Sequence, residues 1–339
     1  LSNHFVVVSN AITDDDELVV RGNEKVLRAR LSDAMFFWKS DLQAEFSPEK
    51  LKQISYMQAL GSVYDKQVRE LAVAKALSAD YATQIEAEIG KKDFARDVEN
   101  AVMFSKADLS STMVGEFSEL QGIMGSYYAA HAGLADHVCR AMREQYLPSG
   151  EDSELPSGVF SSVIAVAMKF ETLLGIFSIN KVPSGNKDPY ALRRAATGLI
   201  KILLNQGLSF DANALAQKLA PNYKKFDISK LLDFIKDRLY GIFDEINPSV
   251  IKACIASGEN DLLLLSKAIK ALGEIAAATD FGENFATFKR LANIIKDEKI
   301  DAVDENLFEH DAERALNAAF RAIKLNENDV SGYLRSLFG

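Results

Sequence analysis

Two adjacent arginines stand near a marked helix start in GNKDPYALRRAATGLIKIL, residues 185–203, within a chain whose formal net charge is −9. Asp188 suits the N-cap and Pro189 suits the first helical position, so the stretch predicts a helix that begins at Pro189. Arg194 and Lys201 then share one face of the helix, while Arg193 is turned about 100° away. The apolar residues of the same stretch are spaced as a stripe along another face of this helix, and that face is predicted to be buried.

Cations this close in sequence can neutralise phosphates even on an acidic chain, so contact with a nucleic-acid backbone is one interpretation of the cluster. The candidate binding residues are Lys187, Arg193, Arg194 and Lys201. Two alternatives stay open. The charges are also typical of a solvated helix surface, and the helix could instead hold neighbouring domains in orientation.

A second basic stretch, FATFKRLANIIKD, covers residues 285–297. Phe288, Leu291 and Ile295 are spaced as an apolar helical stripe. The polar residues between them could neutralise phosphates or hydrogen-bond a base or sugar, and a solvated basic surface is the alternative. The candidates are Lys289, Arg290, Asn293 and Lys296.

Several catalytic signatures are absent from the sequence. The chain has neither GxxxxGK[ST] nor GxGxxG, so no phosphate-binding glycine loop is indicated, and it lacks GxSxG and HExxH. His131 and His137 are six residues apart, which places them about 240° around a helix and prevents them from binding one metal. The His310–Asp311 pair is best interpreted as the start of a helix.

The glycines of MVGEFSELQGIMG, residues 113–125, predict tight turns or close helix approach, with Glu116 and Glu119 as available acids.

Composition and periodicity predict a folded, mainly α chain with two or three domains. Hydrophobic residues make up 48% of the 339 residues, and their helical spacing predicts a long helix that starts near Asn23 and further helices after it. The opening residues, HFVVVSN, instead predict a strand, and the start without methionine suggests an excised fragment. Only two cysteines occur, so a reducing cytoplasm is expected, and no apolar run is expected to approach the roughly 20 residues of a membrane helix, so a membrane is not expected. The last predicted helices are 228–243, 248–256, 261–277, 285–297 and 310–325.

Four phrases in the same order resemble one family, the beta subunit of the bacterial two-subunit glycyl-tRNA synthetase. They are GNEKVLRARLSDAMFFWKSDL, SKADLSSTMVGEFSELQGIMGSYYA, LPSGVFSSVIAVAMKFETLLGIF and PSGNKDPYALRRAATGLIKIL. The resemblance covers most of residues 1–205 and continues more weakly through FKRLANIIKD. It suggests the C-terminal half of that subunit.

The resemblance implies a cytoplasmic complex of two alpha and two beta chains that attaches glycine to its tRNA with ATP. The alpha chain would carry the aminoacylation site and would bind ATP and magnesium. The beta chain would bind tRNA(Gly), dock the alpha chain, hold no cofactor itself and have no catalytic residues. Alternatives are a metal-dependent phosphohydrolase of the HD type and a helical scaffold without RNA binding.

The resemblance also implies a domain order. Residues 1–30 would be the remnant of an α+β tRNA-binding domain, 31–180 an HD-like helical domain, 181–225 a connector, and 226–339 a truncated helical anticodon-binding-like domain. In HD enzymes a His-Asp pair and a later Asp hold a metal ion. Here Lys106, Asp108 and Met168 stand at those positions. Because an ammonium repels a divalent ion and a thioether is a poor ligand for a hard one, no metal and no phosphohydrolase activity are expected.

Overall fold

The computed structural model describes residues 4–10, 14–150, 153–183, 185, 187–279, 281–295, 303–324 and 329–338. In that part of the chain the fold is mainly α, as predicted, and its sheet is one antiparallel pair, β1 (Ser55–Met57) and β2 (Gly61–Ser62). The chain divides into two compact units. The first comprises Leu1–Tyr146 and Pro156–Ala167, and the second comprises Leu147–Leu155 and Met168–Gly339.

Helices α1 to α7 belong to the first unit. They are α1 (Asp16–Gln43), α2 (Val63–Asp80), α3 (Ala82–Ile89), α4 (Ala95–Met103), α5 (Thr112–Glu116), α6 (Ile123–His131) and α7 (Asp136–Glu144). Packing of α2 on α4, and of α7 on both α4 and α6, forms the main core. Val73, Leu77, Val98 and Met142 are fully enclosed there, which removes their apolar surface from water and stabilises the unit.

Helix α1 packs through its C-terminal half. Trp38 stacks on Tyr128, with ring centroids 5.4 Å apart, and Asp41 accepts hydrogen bonds from the backbone N–H of Thr112 and Met113 at 2.9 Å. The N-terminal half is less covered, and Val26 is 64% exposed. The predicted start near residue 23 is wrong, because the Asp15 carboxylate already caps the helix by accepting from the N–H of Leu18.

The strand predicted over HFVVVSN is also wrong, since residues 4–10 have neither helical nor strand structure. Their exposure alternates as in a strand, with Val6 92% and Val7 47% exposed, yet the sheet of the described residues consists of β1 and β2 and does not include them. The β-branched composition was a correct local signal, but a strand also needs a neighbour to satisfy its backbone groups.

Helix α8 (Val159–Ser178) contributes residues to both units. At 20 residues it is long and apolar enough to cross a membrane by length and composition, so the expectation that no run approaches that length is wrong. The helix is a core element, because 83% of its most apolar window is buried.

The second unit contains the remaining nine helices of the described residues. They are α9 (Leu192–Gln206), α10 (Ala212–Leu219), α11 (Ile228–Lys236), α12 (Leu239–Ile242), α13 (Pro248–Ala256), α14 (Leu262–Ala276), α15 (Phe281–Ile295), α16 (Asp311–Ala322) and α17 (Val330–Phe338). Helix α14 packs on α9, α13 and α17, and α9 also packs on α11. The predicted stripe on α9 is buried through Leu192, Leu199 and Ile202.

Most of the later helices lie where they were predicted. Helix α13 has the predicted bounds, and α14 differs by one residue at each end. The predicted helix 228–243 is instead two helices, because the Arg238 N–H turns back to the Ile235 carbonyl and breaks the regular pattern. His310 is the N-cap of α16, and its N–H donates to Glu313, so the His-Asp pair is a helix start as expected.

Candidate nucleic-acid-binding cleft

Helix α9 begins at Leu192, three residues later than predicted. Asp188 still caps it, since its two carboxylate oxygens accept from the N–H of Leu192 and of Arg193 at 2.9 Å each. The intervening turn places Ala191 in the left-handed region at φ 54°, which an alanine rarely adopts. The first turn of α9 therefore carries both arginines.

A cleft of about 450 Å³ in the second unit is lined along one side by α9. Arg193, Arg194 and Lys201 all line it, so the cleft gathers three of the four cations predicted from this stretch. Arg238, between α11 and α12, is a fourth cation that the sequence analysis missed. The remaining described lining residues are Pro148, Ser149, Gly150, Thr197, Gly198 and Gly241.

The charge of the cleft is one-sided. Its described lining residues include four cationic side chains and no acidic one. Such a surface attracts anions even on a chain whose net charge is −9, because a local cluster acts over a distance shorter than the screening length of about 8 Å at physiological salt. Phosphate is one of the anions that arginines bind through paired hydrogen bonds.

Two of the guanidinium groups are anchored by the protein. Arg193 donates through Nη2 to the carbonyl oxygen of Gly185 at 2.5 Å. Arg238 donates through Nε to the Phe234 carbonyl at 3.4 Å and lies 5.3 Å from the centroid of the same residue's ring. Arg194 is exposed and Lys201 is half-buried. The cleft thus combines oriented cations with one that reaches into solvent.

Gly198 gives α9 its close approach to the residues behind it. A Cβ at this position would lie 2.9 Å from Cε of Lys169 and 3.3 Å from Cδ of Pro148. Gly150 and Gly241, where a Cβ would meet nothing within 4 Å, leave parts of the wall without side chains. A ligand can therefore come close to the backbone at these positions.

The other predicted binding residues are not among the described residues that line the cleft. Lys187 is exposed, and so are Lys289, Arg290 and Asn293 on α15. The apolar stripe of α15 is open to solvent, with Phe288 39% and Ile295 40% exposed. The side chain of Leu291 and the whole of Lys296 lie outside the described residues.

A separate charged cluster lies inside the first unit. The Lys106 ammonium group donates to Oε2 of Glu70 at 2.7 Å and to Oε1 of Gln145 at 3.1 Å. Lys66 lies on the other side, with Nζ 2.9 Å from Oε1 of Glu70. Burial favours the protonated acid, but the two ammonium groups outweigh it and hold the pKa of Glu70 below its usual value.

Asp108 has a different environment from Lys106, two residues earlier. Its Oδ2 accepts from the N–H of Gly122 at 2.6 Å and of Gly125 at 3.0 Å, whereas its buried Oδ1 has no hydrogen-bond partner. Burial raises the pKa of this carboxyl above its usual value. A Cβ on Gly125 would lie 3.0 Å from Oδ2. The close approach predicted for the glycine-rich stretch is therefore confirmed.

The described residues contain no group of three His, Cys, Asp or Glu side chains that could hold a metal ion. Met168 lies half-buried on α8, where its carbonyl accepts from the Thr172 hydroxyl. Nε2 of His137 lies 2.9 Å from Oδ2 of Asp97, so its partner is this carboxylate and not His131. The absence of a metal and of phosphohydrolase activity stays a prediction.

Comparison with known proteins identifies relatives of the whole chain. The profile of the family described as glycyl-tRNA synthetase beta subunit matches residues 1–256. A glycine–tRNA ligase beta subunit of Helicobacter pylori (strain G27) is 41% identical over 334 residues, covering 96% of this chain and 47% of that protein. Those of Geobacter sulfurreducens and Streptococcus suis (strain 05ZYH33) are 37% and 38% identical, covering 99% of this chain and 49% of each protein.

The chain therefore spans about half the length of the curated relatives that it matches. The matches extend over nearly all of this chain. The chain belongs to the glycyl-tRNA synthetase beta subunit family.

Proposed function

We propose that this chain acts as the beta chain of a cytoplasmic glycine–tRNA ligase and binds tRNA(Gly) through the α9 cleft. The single observation that carries the proposal is the convergence of Arg193, Arg194, Lys201 and Arg238 on one cleft whose described lining residues include no acid. Family membership supplies the substrate, and the cleft supplies the chemistry that its backbone phosphates require.

In this proposal the alpha chain carries out the ligation with ATP and magnesium. The sequence contains no phosphate-binding glycine loop, which agrees with a supporting role for this chain. Arginines at the cleft hold the tRNA backbone so that its acceptor end reaches the alpha chain. Release of condensed counterions from the phosphates then provides much of the binding free energy.

Residues 31–180 are proposed as an HD-like scaffold without catalytic activity. The Lys106 ammonium group already neutralises the buried Glu70 carboxylate at 2.7 Å. The phosphohydrolase alternative would need anionic or imidazole ligands at that place, and an ammonium group cannot ligate a metal ion. The division of the rest of the chain into a connector, 181–225, and an anticodon-binding-like domain, 226–339, is also part of the proposal.

The proposal is tested by titrating the chain with tRNA(Gly) and with an unrelated tRNA over a salt series. We expect preference for tRNA(Gly) and a steep loss of affinity in salt. The double variant Arg193→Ala, Arg194→Ala should lower the affinity by about 10- to 100-fold and reduce the salt slope by about two, because two phosphate contacts are lost.

Lys224→Ala, Lys225→Ala is the matched control, since it removes two adjacent exposed cations from the same unit but outside the cleft. It should change the affinity only slightly. Equal losses in the two double variants would contradict a specific role for the cleft. Absence of tRNA binding in the unaltered chain would favour the scaffold alternative.

A further inference from the structure

The size of the α9 cleft limits what can enter it. A volume of about 450 Å³ lies in the range of roughly 300–1,000 Å³ that accommodates small organic ligands. An RNA duplex keeps its bases paired and stacked, and offers a protein only its backbone, its 2′-hydroxyls and the base edges of a wide, shallow minor groove. A cleft of this size therefore suits one nucleotide better than it suits a duplex.

The lining chemistry fits the parts of a nucleotide. Arg193, Arg194 and Arg238 offer planar guanidinium groups, which hydrogen-bond phosphate and also stack on bases. Lys201 adds a point charge, and the Thr197 hydroxyl can donate to or accept from a sugar or base. A surface that contacted only phosphates would use the charges but would not require a concave shape.

The state of each arginine suggests a division of roles. Arg193 and Arg238 are held by the carbonyl oxygens of Gly185 and Phe234, so their guanidinium groups are oriented before a ligand arrives. Arg194 is exposed at the first turn of α9, where its plane can move onto an incoming base. Little ordering of the protein is then needed on binding.

We infer that the α9 cleft binds a single unpaired nucleotide of an RNA strand, with its phosphate among the cations and its base stacked on an arginine plane. This inference rests on the proposed function, because it takes RNA as the ligand. It adds that the cleft selects an unpaired position of the strand over a duplex segment.

The test uses the full chain with three probes. They are a labelled single-stranded RNA of about eight nucleotides, the same RNA annealed to its complement, and tRNA(Gly). We expect the single strand to bind at least about fivefold more tightly than the duplex, since only unpaired bases can be splayed and stacked. Arg194→Ala should weaken single-strand binding by about 5- to 30-fold, as expected for loss of one charged hydrogen bond and one stacking contact.

Arg194→Lys separates stacking from charge. It keeps the positive charge but lacks the planar group, so it should leave the salt dependence unchanged and still lose several-fold in affinity for the single strand. Lys252→Ala, an exposed cation on α13 outside the cleft, should leave single-strand binding unchanged. Circular dichroism melting of each variant verifies that the fold is retained.

The outcomes distinguish this inference from the proposed function. Equal affinity for single strand and duplex, or full rescue by Arg194→Lys, would overturn the unpaired-nucleotide inference and leave backbone binding intact. Displacement of the RNA by micromolar adenosine monophosphate would overturn it in favour of a free nucleotide. If the unaltered chain binds neither tRNA(Gly) nor either of the two oligonucleotide probes, the proposed function itself is overturned.

Discussion

Replacing Glu70 by glutamine is expected to destabilise the first unit more than replacing either of its lysine partners. The Glu70 carboxylate is 2% exposed and lies 2.7 Å from the Lys106 ammonium group and 2.9 Å from that of Lys66. Glu70→Gln leaves two buried ammonium groups without a counter-charge. Lys106→Met leaves the Glu70–Lys66 pair, which is neutral as a whole.

Removing one partner of a buried ion pair costs about 3–5 kcal/mol. We expect Glu70→Gln to lie at or above the upper end of that range, at about 5 kcal/mol, and Lys106→Met near the lower end, at about 3 kcal/mol. The pKa of Glu70 is held below its usual value of 4.5, so the ionised form stabilises the fold. That contribution is fully present above pH 4.5 and is lost as the pH falls through the lowered pKa, so the effect of Glu70→Gln should shrink in acid.

Urea unfolding followed by tryptophan fluorescence measures this effect in the relevant unit. The chain has one tryptophan, Trp38, which stacks on Tyr128 within the first unit. Glu99→Gln, an exposed acid on α4, is the control and should change the free energy of unfolding by less than about 0.5 kcal/mol. A cost for Glu70→Gln below that for Lys106→Met, or one independent of pH down to pH 3, would refute the electrostatic reasoning.

Three further substitutions test the glycine-held carboxylate and the start of α9. Asp108→Asn should increase the free energy of unfolding of the first unit in urea, and the increase should be greater at pH 8 than at pH 4. The raised pKa means that the buried carboxylate is charged, and therefore unfavourable, only at higher pH. An increase that does not depend on pH would contradict this reasoning. Gly122→Ala should cost about 1–3 kcal/mol, since φ is +80° and the new Cβ would lie 2.9 Å from Cε2 of Tyr146. An unchanged melting temperature would contradict both the backbone strain and the clash. Asp188→Ala should cost about 0.5–2 kcal/mol of stability and weaken tRNA binding, because the N–H of Arg193 loses its acceptor, whereas Asp188→Asn should recover most of both.

Local signals in the sequence predicted the helices whose ends are determined by neighbouring residues. Helix α13 begins at Pro248, and the Asn247 side chain caps it by accepting from the N–H of Ser249, so a proline and a cap residue marked the start. The same kind of signal misplaced the start of α9. Asp188 and Pro189 also fit a turn that precedes the helix, and only the three-dimensional path with Ala191 at positive φ selects that turn.

The candidate cleft was predictable in part. Arg193, Arg194 and Lys201 are close in sequence, so a helical period was enough to group them. Arg238 comes from a different helix pair, and no local pattern connects it with α9. Likewise the partner of Lys106 is Glu70, 36 residues earlier, and only packing of α2 beside α4 brings that carboxylate into the same interior. Contacts between distant segments depend on packing that periodicity does not describe.

The interleaved course of the chain has a consequence for how the first unit can be made. Its last segment, Pro156–Ala167, follows a stretch, Leu147–Leu155, that belongs to the second unit. During synthesis the first unit therefore remains incomplete until Ala167 has left the ribosome. A gene shortened after Tyr146 would encode a product lacking Phe160, which is 1% exposed, and we expect that product to be degraded or insoluble.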